Sequence, residues 1–208
     1  MSHPYVYGVV QAEDAIELET DAVGGDDRVY PIENGRLAAM VSEVETTDPE
    51  RTDEDAKRHD EVLREVMEAD GGRTVVPMQF GMAFESERAL KNVLRGGRPA
   101  FRRAMRAIDG AIELGVKVVR DEDGSIDDET VREAIADELE PIATDAVDNG
   151  LFSDRLVLNR SYLVERDDRE AFDEAVARLE DEYEDLAIQY TGPFAPYSFV
   201  DIQIGGQR

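Results

Sequence analysis

The side chains that most often perform catalysis are scarce in this sequence. It contains no cysteine and only two histidines, so a thiol nucleophile is absent and a serine triad would need His3 or His59. No G-x-S-x-G, G-x-x-x-x-G-K-[ST] or G-x-G-x-x-G sequence occurs. His59 shares an apolar helical face with Leu63 and Val66, which favours a semi-buried structural histidine that hydrogen-bonds locally. We therefore predict no catalytic residue.

Carboxylates are abundant, but none has the spacing of a metal site. The run from Asp121 to Gly124 resembles an EF-hand loop, yet alignment on Gly124 puts Val119 at the first ligand position and Thr130 at the last. A zinc site is not expected, because such sites usually need three or four histidine or cysteine ligands and the chain has two histidines and no cysteine. Among the 49 acidic residues no spacing singles out a pair suited to glycoside hydrolysis. We expect neither a metal nor a cofactor.

The charge balance of the chain is strongly negative. Its 208 residues carry a formal charge of −26, and the cations are 20 arginines and three lysines. Lysine depletion with excess carboxylate favours a salt-rich cytoplasm, where exposed charges are screened over about 3 Å at 1 M salt. The alternative is an acidic solubilising surface at ordinary salt. Such a charge repels nucleic acid and anionic lipid, and no signal peptide or membrane-spanning run is present, so we expect a cytoplasmic protein without nucleic acid or membrane partners.

The positive charges are concentrated in one segment. Residues 85–106 contain two acids and seven cations: Arg88, Lys91, Arg95, Arg98, Arg102, Arg103 and Arg106. Residues 121–148 contain 12 acids and one arginine. The basic segment either packs beside acidic helices within the fold and forms ion pairs with them, or it is a docking surface for an acidic partner. Nucleic acid ranks third because no aromatic residues interleave with the arginines.

The hydrophobic pattern of residues 1–85 predicts a ferredoxin-like domain in β-α-β-β-α-β order. A strand over residues 5–10 precedes a weak helical turn around residues 12–18. A hairpin follows, with Asn34 and Gly35 in a type I′ turn and Pro31 at a sheet edge or bulge. A helix over residues 52–69, capped by Thr52, leads to a strand over residues 73–78.

Residues 86–208 predict a second, α+β domain with long helices. Gly96 to Pro99 should break a helix in two, and Pro141 should kink another. The predicted helices cover residues 86–94, 99–114, 127–148 and 168–184. The predicted strands cover residues 116–119, 156–164, 186–190 and 197–204. The fold class is therefore α+β, with the two domains in contact.

Two segments carry large apolar side chains at turn positions, where a solvated loop would be polar. They are residues 76–84 and 192–200. Either they are buried beneath a sheet, or they form an adhesive surface.

These segments, with four others, resemble the gas vesicle protein F/L family. The matching stretches follow the family's order along the whole chain: residues 5–10, His59 with Val62 and Leu63, residues 76–81, 113–118, 161–164 and 192–200. The resemblance implies a ferredoxin-like N-terminal domain, an α+β C-terminal domain and no enzymatic activity. It also implies an accessory or minor component of the gas vesicle, located in the cytoplasm at the vesicle, that binds the hydrophobic shell protein (gas vesicle protein A) and prevents its aggregation during nucleation. Other gas vesicle accessory proteins are further expected partners.

We place the expected contact with the shell protein on the N-terminal domain. The edge strand that contains Pro31 would offer unpaired backbone groups, and the residues beyond the last strand would offer an adaptable apolar floor. The candidate partner-binding residues are Pro31, Met78, Phe80, Met82 and Phe84. The competing hypothesis is a ligand-binding or enzymatic ferredoxin-like protein of a halophilic cytoplasm, since this fold hosts many functions.

Overall fold

The chain folds into two compact units, each built around one sheet. The computed structural model describes residues 2–120, 127–183 and 185–202. The first unit combines Met1–Asp109 with Phe194–Arg208, and the second is Gly110–Pro193. The described residues contain two antiparallel sheets and four α-helices, which confirms the predicted α+β class.

The first sheet has five strands in the order β2-β3-β4-β1-β5. They are β1 (His3–Gln11), β2 (Leu18–Glu19), β3 (Arg28–Asn34), β4 (Leu37–Val44) and β5 (Val76–Pro77). Every residue of β1 from Pro4 to Val10 is buried, so both faces of this central strand are covered. The order β3-β4-β1-β5 is that of a ferredoxin-like sheet, as predicted.

The connection after β1 differs from the predicted helical turn. It is a single 3₁₀ turn, Ala12–Asp14, followed by the short strand β2. Leu18 and Glu19 pair with β3 and extend the sheet instead. The ferredoxin-like unit therefore lacks its first helix.

The hairpin forms where it was predicted, with a different turn type. Asn34 pairs with Leu37, so the two loop residues are Gly35 and Arg36. Of these two only Gly35 has a positive φ, of 68°. A positive φ at the first loop position alone is the pattern of a type II′ turn, and the predicted type I′ turn is wrong.

Helix α1 (Asp53–Glu68) confirms the prediction for residues 52–69. The backbone N–H of Asp55 donates to Oγ1 of Thr52 at 3.0 Å, which satisfies one of the free donors at the helix start. The helix buries one apolar stripe and contacts β1: His59, Val62, Leu63, Val66 and Met67.

Helix α2 (Glu87–Ala107) runs through the predicted break at residues 96–99. Its buried residues Leu90, Leu94, Phe101 and Met105 lie on one face on either side of Pro99. Packing this continuous stripe outweighs the local helix-breaking tendency of glycine and proline. The prediction of two helices is therefore wrong.

The position of α2 also moves the unit boundary away from residue 85. The helix contacts β1, β3, β4 and β5, so it completes the first unit rather than starting the second. Residues 194–202 also belong to the first unit, whereas the predicted boundary put them in the second.

The second sheet has the order β7-β8-β6-β9. Its strands are β6 (Ala111–Arg120), β7 (Asp145–Asp148), β8 (Leu156–Glu165) and β9 (Leu186–Phe194). Helix α3 (Asp128–Leu139) lies between β6 and β7 in the chain, and α4 (Arg169–Glu182) lies between β8 and β9. This β-α-β-β-α-β order gives the second unit a ferredoxin-like topology of its own.

Three predictions in this part of the chain need correction. Residues 112–114 belong to β6 rather than to a helix, because α2 ends at Ala107. Helix α3 ends at Leu139, two residues before Pro141, and β7 follows because it pairs with β8. Tyr197–Phe199 is a 3₁₀ turn where a strand was predicted. Residues 203–204 of that strand, and the turn at residues 121–124, lie outside the described residues.

Candidate functional site

The apolar stretch after β5 lies along the edge of the first sheet. We call residues 78–84 the edge segment. The N–H of Met78 donates to the carbonyl oxygen of Tyr7 at 2.8 Å, and the N–H of Val6 donates to that of Met82 at 2.8 Å. The N–H of Phe84 donates to the carbonyl oxygen of Pro4 at 3.0 Å. These bonds continue the pairing of β1, so the backbone of the edge segment is fixed.

The side chains of the edge segment divide into buried and accessible ones. Met78 is 5% exposed and belongs to the core. Phe80, Met82 and Phe84 are half-buried and retain accessible apolar surface. Thioether and aromatic side chains adapt readily to an apolar partner.

Pro31 lies apart from the other four candidate residues. It is half-buried on β3. In the described part of the sheet, β2 pairs only with Arg28 and Val29 of β3, so β3 has no neighbour on that side at Pro31. The predicted edge position of Pro31 is therefore confirmed. Because β4 and β1 separate β3 from the edge segment, the two edges are about 14 Å apart at the usual strand spacing. The structure does not join them into one site.

Phe80 forms one wall of a cleft in the first unit, which we call the aromatic cleft. Its volume is about 250 Å³, and its lining residues are Arg51, Ala56, His59, Asp60, Gln79, Phe80 and Tyr197. The Phe80 ring lies 5.8 Å from the rings of both Tyr5 and His59. The guanidinium of Arg51 lies 5.7 Å from the centre of the Phe80 ring, within cation–π range.

His59 forms the floor of the aromatic cleft, and its hydrogen bonds define its tautomer. Nε2 lies 3.0 Å from the carbonyl oxygen of Met78, which can only accept, so Nε2 carries the proton. Nδ1 then accepts from the hydroxyl of Tyr5 at 2.8 Å. That hydroxyl in turn accepts from the N–H of Gly81 at 3.2 Å. The imidazole thus holds the edge segment directly at Met78 and, through the Tyr5 hydroxyl, at Gly81.

The surroundings of His59 keep it neutral. Burial is the main reason that the pKa of His59 is lowered to about 4; the bond to Met78 opposes this shift, and the charge of Arg51 contributes to it. His59 is 2% exposed, which confirms its predicted burial, and its structural role stays a prediction. Its partners are distant in sequence rather than local.

Asp60 and Tyr197 provide the polar rim of the cleft. The Tyr197 hydroxyl donates to Oδ1 of Asp60 at 3.4 Å. Loss of hydration raises the pKa of Asp60, while the bond from Tyr197 and the nearby Arg64 and Arg51 lower it. Tyr197 belongs to the apolar residues 192–200 noted in the sequence, but Asp60 and its contact with Tyr197 were not predicted, because 137 positions separate the two residues and no local pattern signals the contact.

Neither a metal site nor a membrane span is found in the part of the chain that the structure describes. Within it, no three His, Asp or Glu side chains are grouped closely enough to hold an ion. No helix there is long and apolar enough to cross a membrane.

The fold and the site define a class: two-unit α+β proteins with antiparallel sheets and an accessible aromatic cleft. The family model for gas vesicle synthesis protein GvpL/GvpF matches residues 4–133 and 125–201. Gas vesicle protein F of Haloferax mediterranei is 53% identical over 205 residues, covering 98% of this chain and 96% of the relative. Gas vesicle protein F1 of Halobacterium salinarum is 48% identical, covering 98% and 95%. The chain therefore belongs to the GvpL/GvpF family.

Solved structures of two relatives have the same fold. The crystal structure of GvpF from Anabaena superposes with a TM-score of 0.85 at 20% identity and covers 100% of both chains. GvpF from Microcystis aeruginosa gives a TM-score of 0.83 at 15% identity, covering 96% of this chain and 99% of that one.

Proposed function

We propose that this chain is an accessory or minor structural protein of the gas vesicle that binds the hydrophobic shell protein, gas vesicle protein A. In this proposal it prevents aggregation of the shell protein while the vesicle is nucleated, without enzymatic activity. It acts in the cytoplasm at the gas vesicle, together with other accessory proteins. Membership of a family described by gas vesicle synthesis supports a role in assembly.

The observation that carries the proposal is the accessible apolar surface of the edge segment in a protein of charge −26. Phe80, Met82 and Phe84 are held on a fixed backbone, so little conformational freedom is lost when a partner covers them. The acidic remainder of the surface would keep a complex with an apolar subunit dissolved.

The aromatic cleft is large enough for part of a bound protein segment. Pockets for drug-sized ligands usually enclose about 300 to 1,000 Å³. The aromatic cleft, at about 250 Å³, suits one or two side chains of a bound segment.

The test is the affinity of the full chain for purified shell protein, with substitutions at Phe80. We expect Phe80→Asp to weaken binding about 30-fold, as loss of a central aromatic contact does, and Phe80→Leu to retain most of it. Circular dichroism and the melting temperature establish that each variant is folded.

Phe152→Asp is the matched control, because Phe152 is 76% exposed and lies in the second unit. The control should bind as the unmodified chain does. If folded Phe80→Asp binds normally, or if Phe152→Asp causes the larger loss, the edge segment is not the contact site.

A further inference from the structure

Helix α2 presents a continuous face of positive charge. We call its seven cations the basic face: Arg88, Lys91, Arg95, Arg98, Arg102, Arg103 and Arg106. At 3.6 residues per turn these positions fall within one arc of the helix. The buried stripe of Leu90, Leu94, Phe101 and Met105 occupies the neighbouring arc of the helix. Helix α2 therefore packs against the first sheet through its buried stripe and leaves most of the basic face accessible.

Most cations of the basic face form no ion pair within the described part of the first unit. Lys91 pairs with Glu87, and Arg98 donates to Oδ1 of Asn34 at 3.1 Å. Arg88, Arg95, Arg102, Arg103 and Arg106 are exposed, and among the described residues of this unit none of them forms an ion pair. The predicted pairing with acidic helices concerns α3 and α4 of the second unit and stays a prediction.

The composition and spacing of the basic face suit carboxylates. Six of its seven cations are arginines, whose planar guanidinium binds a carboxylate through two parallel hydrogen bonds. Arg88, Arg95 and Arg102 recur every seven residues, or about 10.5 Å along the helix axis. A second helix with acidic residues at the same interval would meet these arginines in register.

A cleft at the C-terminal end of the basic face offers an anchoring point. It has a volume of about 190 Å³, and its lining residues are Gln11, Thr74, Arg102, Met105, Arg106 and Asp109. Thr74 donates to Oδ1 of Asp109 at 2.9 Å. Arg102 and Arg106 line this cleft together, so their guanidinium groups can bind the carboxylate of one glutamate.

We propose that the basic face is a docking surface for an acidic helix of a partner protein, separate from the aromatic cleft. We infer an acidic partner from charge complementarity, because this one face carries six arginines and a lysine in a chain whose overall charge is −26. A nucleic acid is disfavoured, since that net charge repels an extended polyanion and no exposed aromatic residue interleaves with the arginines for base stacking. Short-range paired hydrogen bonds also persist in salt that screens longer-range attraction.

The experiment measures binding of a synthetic alanine-based helical peptide that carries glutamates at seven-residue intervals. The control peptide has the same sequence with glutamine in place of each glutamate. The full chain is compared with the double variant Arg95→Glu, Arg102→Glu. The control, Arg169→Glu with Arg178→Glu, changes the net charge equally at exposed arginines of the second unit; because these pair with Asp173 and Glu138, circular dichroism first establishes that this variant is folded. Fluorescence anisotropy is recorded between about 0.1 and 1 M salt.

The proposal predicts saturable binding of the glutamate peptide and at least about ten-fold weaker binding of the glutamine peptide. The α2 double variant should lose about ten-fold in affinity, and the control double variant should lose none. Equal binding by the two double variants would overturn the proposal. So would tighter binding of a DNA duplex than of the glutamate peptide, or self-association of the chain that the α2 substitutions abolish, since each result assigns the face to a different occupant.

Discussion

His59 shows how far a single residue can be interpreted from sequence. Its apolar neighbours on α1 predicted burial, and the structure confirms it. The sequence could not show that the imidazole joins Tyr5 to Met78, because that contact depends on how β1, α1 and the edge segment meet. A neutral, fully hydrogen-bonded histidine here holds the backbone that presents Phe80.

The depressed pKa of His59 predicts a pH-dependent loss of stability. Its pKa is about 4 in the folded chain and about 6.5 when unfolded, so the unfolded state binds the proton first as the pH falls. Stability from this group is complete above pH 6.5 and declines towards pH 4, by up to about 3 kcal/mol. Urea unfolding of the intact chain and of His59→Gln, at several pH values, measures this decline.

The comparison with His59→Gln separates the histidine from the many carboxylates that titrate in the same range. We expect the difference in unfolding free energy between the two proteins to shrink or reverse as the pH falls from 7 to about 4. A difference that does not change with pH would mean that His59 remains equally easy to protonate in both states.

At the scale of elements, the sequence predicted where several strands and helices form better than where a helix ends or continues. The strand over residues 5–10 and the helices that became α1 and α4 follow from periodic apolar residues. Helix α2 was divided because Gly96, Gly97 and Pro99 disfavour helix locally, whereas burial of its apolar stripe decides the outcome. The apolar side chains of the edge segment were visible in the sequence. The cleft around Phe80 was not, because Tyr197 reaches it from the other end of the chain.

The two glycines of α2 provide a test of this packing argument. A β-carbon at Gly96 would meet nothing within 4 Å, so Gly96→Ala should stabilise the chain by about 1 kcal/mol through helix propensity. A β-carbon at Gly97 would lie 2.9 Å from the buried Phe101 ring, and crowding of this kind costs about 1 to 3 kcal/mol. Thermal or urea unfolding of the two variants measures the difference.

We expect Gly97→Ala to be less stable than Gly96→Ala, since both substitutions add the same methyl group to the same helix. If the two variants are equally stabilised, the Phe101 ring does not pack closely against Gly97.

At the scale of the whole molecule, the dominant quantity is the charge of −26. The screening length grows from about 3 Å at 1 M salt to about 10 Å at 0.1 M, so carboxylates on neighbouring elements repel one another more strongly as salt falls. We predict that the melting temperature drops over this range. Sucrose should raise the melting temperature by a similar amount at low and high salt, because it strengthens burial without screening charge.

A melting temperature that stays constant across the salt series would remove the argument for a salt-adapted protein. In that case the acidic surface would serve solubility alone, which is the alternative interpretation of the composition.

The proposed function is tested most directly by the solubility of the shell protein itself. Purified shell protein is diluted from denaturant, alone or with an equimolar amount of the full chain, and the fraction that remains in solution after centrifugation is measured. We predict that the chain keeps most of the shell protein in solution and that folded Phe80→Asp does not. If the shell protein sediments to the same extent with the chain as with an unrelated protein of similar negative charge, the proposed function is contradicted.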